Sequence, residues 1–523
     1  MCGEEPEALN NAFSELINTF TPIPPPLKIG VERVPTFAVD LSRMAVKVPE
    51  YWGEIVHLKE LLGHEIKHAS ADGLPYTYRN ALKHEAHVMK RLGISLGTVK
   101  NILNIVYDVV VDLKVAEEGL DARGMCAEWL QRFPVTAEGS GYHLLQVICK
   151  DFFNTSLDTT EYEERLRRST GFEALKKVLR SLASAKPSQE KDLELVAEAA
   201  ELVASLSNIG EEPLSDVAFD RGDPNVRAEA AEIGLDMQLS DEQLAELMGV
   251  GKDRLEEALD EAAEDKVRTA LWSRILGFKE LFTASSLLEL KEPVLRRWKP
   301  YSKRVDPSSV AKAPDDPRKW REPAVETVLT VEGEGEAGGF SKLILLIDCS
   351  GSTADIHMGR AVLGYIKDAA YGLIAYAKQF GLPAVSIAFQ SSAWTLTRES
   401  RNYVEHAKKI FLLRSDGGTN LEVAARLASS LKPDKALVAL ITDGLVDEES
   451  LKRFAEQSRV NRVVAAVVAS GAGGLERVQI VGDRVQIFTV KPDSAGQTIV
   501  SSLLPPGKRL SSKPVLRASV AFL

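Results

Sequence analysis

The pattern of apolar and polar positions changes character near residue 340. Beyond it, apolar runs of strand length alternate with amphipathic helical stretches, and they lie at 343–348, 384–389, 436–442, 462–469 and 484–490. Strands that are apolar throughout, rather than at every second position, are typical of a parallel sheet with helices on both faces. The pattern therefore predicts an α/β domain with a doubly wound, mostly parallel sheet over residues 340–510.

The N-terminal half mixes short extended segments with longer helical patterns. Two extended segments and then three helical ones follow each other at 36–40, 43–48, 51–70, 78–92 and 97–118. Runs of four to eight residues favour strands, whereas a 3.6-residue periodicity over ten or more residues favours helices. We therefore expect an α+β domain over residues 1–150.

The remaining segments differ from both domains in composition. Residues 151–300 are rich in Ala, Leu, Glu, Lys and Arg at helical spacing, which predicts a helical region. Residues 301–339 combine prolines with a Gly/Glu stretch and are interpreted as a linker, and residues 511–523 as a C-terminal tail. A chain of 523 residues is expected to divide in this way, because a single hydrophobic core rarely grows so large.

Charge and cysteine usage restrict the setting of the protein. The net charge of −11 disfavours a general nucleic-acid binder, whose surface is normally basic. The four cysteines are scattered, which fits a reduced compartment better than a disulfide framework. The acidic start of the chain does not look like a signal peptide, and no apolar run approaches the ~20 residues that cross a bilayer. We expect a cytoplasmic protein with neither a membrane nor a nucleic acid as its partner.

Oxygen-bearing side chains stand where strands of the predicted α/β sheet end. Asp348 opens the sequence Asp-Cys-Ser-Gly-Ser, which also supplies Ser350 and Ser352; Thr419 follows a Gly-Gly pair, and Asp443 ends another strand. Ligands of open α/β sheets gather outside the carboxyl ends of the strands. A set of carboxylates and hydroxyls suits a hard cation, so these residues predict a Mg²⁺ or Mn²⁺ site.

The same residues resemble the metal-ion-dependent adhesion site (MIDAS) of the von Willebrand factor A (vWA) domain. That motif has Asp-x-Ser-x-Ser, a distant Thr and a distant Asp, and the resemblance spans about residues 340–505. It implies that the three hydroxyls touch the metal, that the two carboxylates act directly or through water, and that the domain binds an Asp or Glu of a partner protein. Proteins of similar layout often serve as adaptors of MoxR-type AAA+ ATPases, so the resemblance implies an adaptor or assembly factor.

A second constellation lies near the N-terminus. His64, Glu65 and His68 form an HExxH sequence within a predicted helix. Imidazoles at i and i+4 share one helical face, where they can chelate one Zn²⁺. Glu65 would then act as the general base for the attacking water.

The third zinc ligand has several candidates. Asn104, Asp108 and Asp112 recur every four residues on one face of an otherwise apolar helix, and a buried carboxylate there is costly unless it meets a cation. His84 and His87, at i and i+3, are competing ligands. We favour a solvated helix face for these two histidines.

The N-terminal segment resembles the metallopeptidase domains that precede vWA domains in some bacterial and archaeal proteins. Those domains have HExxH followed by a helix with Asn-x-x-x-Asp, and the resemblance covers about residues 30–120. It implies a zincin-like fold in which His64, His68 and Asp108 hold zinc and Glu65 is the base. A zinc-dependent peptidase governed by the vWA domain is therefore the alternative function. Lys67 departs from the pattern, and we expect the helix to expose that side.

Overall fold

The structure is a computed structural model of the 523-residue chain. It describes residues 5–20, 26–132 (without 35), 137–155, 160–185, 189–209, 217–267, 340–357, 360–431 and 436–443, together with residue 454 and the strands at 294–297, 325–328, 463–468, 478–481 and 485–490. The predicted linker, apart from residues 325–328, and the predicted C-terminal tail lie outside this set.

Helices dominate the chain up to residue 267. The helices there are α1 (Glu5–Thr19), α2 (Leu58–His68), α3 (Tyr78–Leu92), α4 (Leu96–Glu117), α5 (Ala122–Arg132), α6 (Gly141–Phe153), α7 (Glu161–Arg167), α8 (Thr170–Ser184), α9 (Gln189–Leu206), α10 (Pro224–Asp236) and α11 (Asp241–Met248). The C-terminal part adds α12 (Val362–Gln379), α13 (Tyr403–Phe411) and α14 (Leu421–Ser430). Residues 255–267 are also helical.

The strands belong to two main sheets and two small ribbons. They are β1 (Lys28–Glu32), β2 (Ala38–Asp40), β3 (Ala45–Pro49), β4 (Val217–Ala218), β5 (Val294–Arg297), β6 (Val325–Val328), β7 (Lys342–Asp348), β8 (Ile356–His357), β9 (Arg360–Ala361), β10 (Ala384–Phe389), β11 (Ala393–Ser400), β12 (Ala436–Thr442), β13 (Val463–Val468), β14 (Val478–Val481) and β15 (Val485–Val490). The pairs β5–β6 and β8–β9 form the ribbons.

The N-terminal sheet is small and packs against helices. Its order is β1-β3-β2-β4, with β2 antiparallel to β3 and the other pairs parallel. The predicted strands at 36–40 and 43–48 are present as β2 and β3, and the three predicted helices as α2, α3 and α4. Apolar side chains of α1 and α2 share one core with β2 and β3. The strands β1 and β4 and the helix α1 had no counterpart in the predicted elements.

One hydrophobic core continues from the N-terminal helices into the helical region. It runs through α3, α4, α6, α8, α9, α10 and α11 without interruption. The predicted boundary at residue 150 falls inside α6, and β4, which comes from the predicted helical region, pairs with β2. The physical reason is that each helix buries its apolar stripe against the next one.

The C-terminal sheet has the predicted mostly parallel arrangement. Its order is β11-β10-β7-β12-β13-β15-β14, and only the two edge strands run antiparallel to their neighbours. Alternate side chains of β7 enter different cores: Leu345 and Ile347 pack with α12, whereas Ile344 and Leu346 pack with α14. Helices therefore cover both faces of the sheet. Within the described residues no single helix is long and apolar enough to span a membrane, although α3 and α4 meet the requirement together across a bend of 117°.

Lys67 contradicts the expectation that the HExxH helix exposes one side. Its side chain is fully buried, and its Nζ lies 2.9 Å from Asp72 Oδ2 and 3.1 Å from Glu118 Oε1. The same ammonium group lies 5.1 Å from the centre of the Phe20 ring. A buried cation is tolerated when it is paired and hydrogen-bonded, which is why Lys67 can point into the protein.

Buried charges join the helical region to the C-terminal domain. Arg360 binds Asp236 at 3.0 Å, Glu232 at 2.9 Å and Asp368 at 2.6 Å. Lys367, on α12, lies 3.4 Å from Asp236. Burial raises the pKa of Glu232, but Arg360 and nearby Lys266 outweigh it and lower the pKa to about 2. The two regions therefore share a network of buried and half-buried ion pairs.

We expect Asp236→Ala to destabilise the protein by about 3–5 kcal/mol, because it leaves the buried ammonium group of Lys367 without this carboxylate and removes one of the three carboxylate partners of Arg360. Asp241→Ala is the matched control, since Asp241 forms an exposed pair with Arg414 at 2.8 Å and should cost at most about 1 kcal/mol. Urea unfolding followed by tryptophan fluorescence measures both. Equal losses in the two variants would contradict a structural role for the network.

Candidate metal centres

The HExxH residues lie in the second half of α2, which is buried on all sides from Leu62 to His68. The helix packs against α4, so its imidazoles face the polar stripe of that helix. His68 is the last residue of α2, and the chain turns back immediately behind it. The sequence motif therefore lies at a helix end and inside the core.

Three ligand atoms converge between α2 and α4. His64 Nε2 and His68 Nε2 are 3.0 Å apart, and Asp108 Oδ1 lies 3.8 Å from the first and 3.5 Å from the second. These three residues form the one cluster of His, Cys, Asp or Glu ligand atoms that the described part of the chain brings within 4.8 Å of one another. All three side chains are buried.

The separations fit a tetrahedral zinc site. Zn–N and Zn–O bonds of about 2.0–2.1 Å at tetrahedral angles place neighbouring ligand atoms about 3.3 Å apart. Asp108 Oδ1 and Glu65 Oε2 are both buried and find no hydrogen-bond partner among the described residues. A buried polar atom without a partner is costly, and a cation between these groups would remove that cost.

The other nitrogen of each imidazole is held by the protein. His64 Nδ1 lies 2.6 Å from Asp112 Oδ1, and His68 Nδ1 lies 2.7 Å from the carbonyl oxygen of Leu74. Asn104 Nδ2 donates to Asp108 Oδ2 at 2.9 Å. Such partners fix the ring orientation and direct both Nε2 atoms, which contact each other at 3.0 Å, toward one point, as in known zinc sites.

The turn after α2 brings the Leu74 carbonyl to His68. Gly73 makes this possible, because a Cβ atom at that position would lie 1.6 Å from the carbonyl oxygen of Lys67. Tyr76 N donates to the carbonyl of His68 at 2.9 Å, which closes the turn. Lys67 secures the same turn through its ion pair with Asp72.

The pKa values of the two histidines are shifted in opposite directions. Burial lowers the pKa of His64, but Asp112 and Asp108 outweigh it and hold the pKa well above its usual range. Burial lowers the pKa of His68. Burial also raises the pKa of Glu65 to about 8. A divalent cation in this site would favour the ionised form of Glu65 and the neutral form of both imidazoles.

The competing histidines lie away from the cluster. His84 is buried, and its Nδ1 lies 2.9 Å from the Tyr107 hydroxyl. The expected solvated position is therefore wrong for His84, because α3 packs this side against α4. Burial lowers the pKa of His84 to about 3. His87 is half-buried, and its Nε2 lies 3.3 Å from Glu194 Oε1.

The predicted MIDAS residues stand at the carboxyl ends of β7 and β12 and on two adjoining loops. Asp348 is the last residue of β7, and Asp443 follows directly after β12, which is the parallel neighbour of β7. Ser350 and Ser352 lie in the short loop after β7, with their hydroxyl oxygens 3.2 Å apart. Thr419 is exposed on the loop before α14.

Backbone hydrogen bonds connect the loops. Gly351 N donates to the carbonyl of Gly417 at 2.8 Å, and Asp416 N donates to the carbonyl of Cys349 at 2.9 Å. A Cβ atom on Gly351 would lie 2.9 Å from the Gly417 oxygen, so a larger residue would push the loops apart. The loop that bears Thr419 is thus fixed against the loop that bears Ser350 and Ser352.

Asp348 is already oriented by the protein. Its Oδ1 accepts from Ser350 N at 3.0 Å and its Oδ2 from the Thr442 hydroxyl at 2.6 Å. Burial raises the pKa of Asp348, and the charge of Asp443 raises it further. In an octahedral Mg²⁺ site neighbouring oxygens are about 2.9 Å apart, close to the separation of the two serine hydroxyls. With both oxygens engaged, Asp348 suits a contact through water.

Several supporting residues escaped the sequence analysis. Thr442 and Ser415 hold the predicted magnesium site, the latter through a contact of 2.7 Å with the Thr353 hydroxyl. Gln238, at the end of α10, donates to the carbonyl of Ser415 at 3.2 Å. The Leu74 carbonyl supports His68 in the same way. Their residue types are common in loops, so only Asp112, four residues after Asp108, left a signal in the sequence.

Comparison with known proteins finds partial neighbours among solved structures, all at low identity. No family model and no curated protein matches the chain. Among solved structures, a von Willebrand factor type A protein from Catenulispora acidiphila is 16% identical, with a TM-score of 0.24, and covers 32% of this chain. This chain spans 42% of that structure.

Two further structures are similar to parts of the chain. The conserved hypothetical protein BatB from Bacteroides thetaiotaomicron is 19% identical, with a TM-score of 0.20, and the match covers 30% of this chain and 84% of BatB. The Ro (Rsr) protein of Deinococcus radiodurans is 13% identical, with a TM-score of 0.23, over 80% of this chain and 93% of its own. The neighbours of this α/β chain thus include vWA proteins, at low identity.

Proposed function

We propose that this protein is a zinc-dependent peptidase that holds a partner protein through a magnesium-dependent site in its C-terminal domain. The observation that carries the first part is the convergence of His64, His68 and Asp108, in which Asp108 Oδ1 and the neighbouring Glu65 Oε2 are buried and find no hydrogen-bond partner in the part of the chain that the structure describes. A core built for stability alone would not leave these oxygens without partners.

The residues around the cluster suit hydrolysis. Zinc, when bound, supplies a Lewis acid that polarises a peptide carbonyl and acidifies water. His64, His68 and Asp108 would hold it, and Asp112 and the Leu74 carbonyl would keep the two rings oriented. Glu65 is adjacent to His64 in sequence and has a carboxylate oxygen free to accept the proton of the attacking water.

The second part of the proposal rests on the Asp348 cluster. Ser350 N and the Thr442 hydroxyl fix the Asp348 carboxylate, and the hydroxyls of Ser350 and Ser352 lie 3.2 Å apart. The charge of Asp443 acts on the same carboxylate. No general base or nucleophile was identified among these residues, so the arrangement suits binding rather than chemistry. A Mg²⁺ or Mn²⁺ ion there would leave a position for a partner's Asp or Glu. A MoxR-type AAA+ ATPase as that partner stays a prediction, as does the adaptor role.

Asp108→Ala should lower zinc affinity by at least about 10–100-fold, the loss that even an outer-shell substitution causes. His84→Gln is the matched control, because His84 is buried one helix away and contacts Tyr107 instead. Elemental analysis of protein purified without chelator, followed by competition with a chromogenic chelator, measures both variants. Zinc loss in His84→Gln with retention in Asp108→Ala would contradict the assigned ligand set.

Glu65→Gln should keep zinc and lower peptide hydrolysis by about 10²–10⁴-fold, because the amide cannot accept a proton. Glu60→Gln, on the same helix but paired with His57, should hydrolyse at the wild-type rate. Zinc-loaded protein and a mixed library of quenched fluorogenic peptides give the rates. Absence of cleavage by the wild type, or equal rates in the two variants, would reject the peptidase.

Asp348→Ala should lower the affinity for Mn²⁺ at least about tenfold, because the predicted site loses one of its two carboxylates. The control is Asp355→Ala, an exposed carboxylate on the same loop. Electron paramagnetic resonance of free Mn²⁺ in zinc-loaded protein reports the affinity, and a peptide with a single Glu should perturb the spectra of the wild type and of Asp355→Ala but not that of Asp348→Ala. Equal Mn²⁺ affinities in both variants would contradict the predicted magnesium site.

A further inference from the structure

A groove opens beside the loops of the predicted magnesium site. It lies between the start of β11 and the end of α13, with a volume of about 540 Å³. Trp394, Leu396 and Leu412 supply its apolar wall. Trp394 is 38% exposed, although an aromatic side chain of this size is usually buried more deeply. We call this feature the Trp394 groove.

The Trp394 groove is continuous with the metal loops. Gln390 and Asp416 line its upper end. The carbonyl of Gln390 accepts from Asn420 N at 2.8 Å, next to Thr419, and Asp416 N binds the carbonyl of Cys349. The two features are therefore parts of one surface at the carboxyl edge of the sheet.

The register of the sheet gives the distance between Trp394 and β7, the strand that ends in Asp348. Trp394 pairs with Ala388 of β10, and Ala388 pairs with Ile347, which precedes Asp348. Two strand spacings of about 4.8 Å separate Trp394 from β7 by about 10 Å. An extended peptide advances about 3.3 Å per residue, so about three residues bridge this distance.

The charges around the Trp394 groove favour an acidic segment. Lys409 and Arg414 line it and are both exposed, while Asp416 is the acidic residue among the lining side chains. Arg414 is engaged by Asp241 at 2.8 Å, so Lys409 is the cation best placed for an incoming ligand. Two basic side chains and one acidic side chain line the groove, in a protein whose net charge is −11.

We infer that the Trp394 groove selects the partner: it binds an extended, acidic peptide segment with an apolar side chain two to four residues from the Asp or Glu that reaches the metal. This inference rests on the proposed magnesium-dependent site and deepens it. The carboxylate provides the metal contact, and the apolar side chain packs on Trp394 and Leu412. Tryptophans in such positions commonly dominate binding.

The test uses the full-length protein with Mg²⁺ and three fluorescein-labelled peptides. One carries Glu and Trp three residues apart, the second replaces that Trp by Ala, and the third replaces the Glu by Gln. Fluorescence anisotropy gives the affinities for the wild type and for Trp394→Ala, Lys409→Glu and Asp348→Ala. Arg398→Ala is the matched control, because it lies on β11 about 13 Å further from the metal end.

The expected result is that the Glu/Trp peptide binds at least about tenfold more tightly than the Glu/Ala peptide, and that Trp394→Ala removes this advantage. Lys409→Glu should weaken both acidic peptides, and Arg398→Ala should bind like the wild type. Thermal melting confirms that each variant is folded. Since Lys409 and Trp394 are both exposed, two independent variants test the surface.

Failure of the groove and failure of the metal site give different results. If EDTA and Asp348→Ala weaken both Glu peptides but Trp394→Ala changes nothing, the groove inference is wrong and the metal site stands. If Trp394→Ala weakens binding and EDTA does not, the metal-dependent site is wrong and, with it, the inferred spacing. A single-stranded oligodeoxynucleotide that displaces the Glu/Trp peptide would overturn the assignment to a peptide, as would absence of binding by all three peptides at millimolar concentration.

Discussion

The contact between α2 and α4 is the interaction on which the N-terminal part of this protein depends. It places two imidazoles and three carboxylates, those of Glu65, Asp108 and Asp112, inside an apolar core. Ionised groups in such a place are costly unless opposite charges or hydrogen bonds compensate them. The charges of Asp112 and Asp108 compensate His64, but Asp108 Oδ1 and Glu65 Oε2 find no hydrogen-bond partner among the residues that the structure describes. The fold thus tolerates a local electrostatic defect that a divalent cation would remove.

The surroundings of this contact are built to hold it rigidly. Lys67 joins the turn after α2 to the end of α4 through Asp72 and Glu118. Gly73 allows that turn to approach the helix closely enough for the Leu74 carbonyl to reach His68. The unexpected burial of Lys67 is therefore part of the same arrangement, because the ammonium group links the two elements that bear the ligand atoms.

The C-terminal domain follows a different principle. Its polar cluster lies at the edge of a sheet rather than between helices, and hydroxyls and carboxylates there lie at the surface or just below it. The helical region touches this edge through Gln238 and reaches the same domain through the network around Arg360. The two candidate centres thus belong to one packed body, although nitrogen ligands dominate one centre and oxygen ligands the other.

The sequence by itself determined many of the elements, though not α1, β1 or β4, and the two sets of chemical groups. Continuous apolar runs predicted β7, β10 and β12, and the spacing of His64 and His68 put both rings on one helical face, because periodicity depends only on local backbone geometry. The family resemblance also favoured Asp108 as the third ligand but left His84 and His87 open. The packing of α2 on α4, which joins residues 40 positions apart, places Asp108 beside His68, whereas His84 contacts Tyr107.

Only the tertiary structure decided where Lys67 points and which backbone carbonyl supports His68. It also decided the separation of about 10 Å between Trp394 and the strand that ends in Asp348. Each of these depends on long-range contacts, whose partners are distant in the chain and of common residue types. A local pattern therefore contains no signal for them.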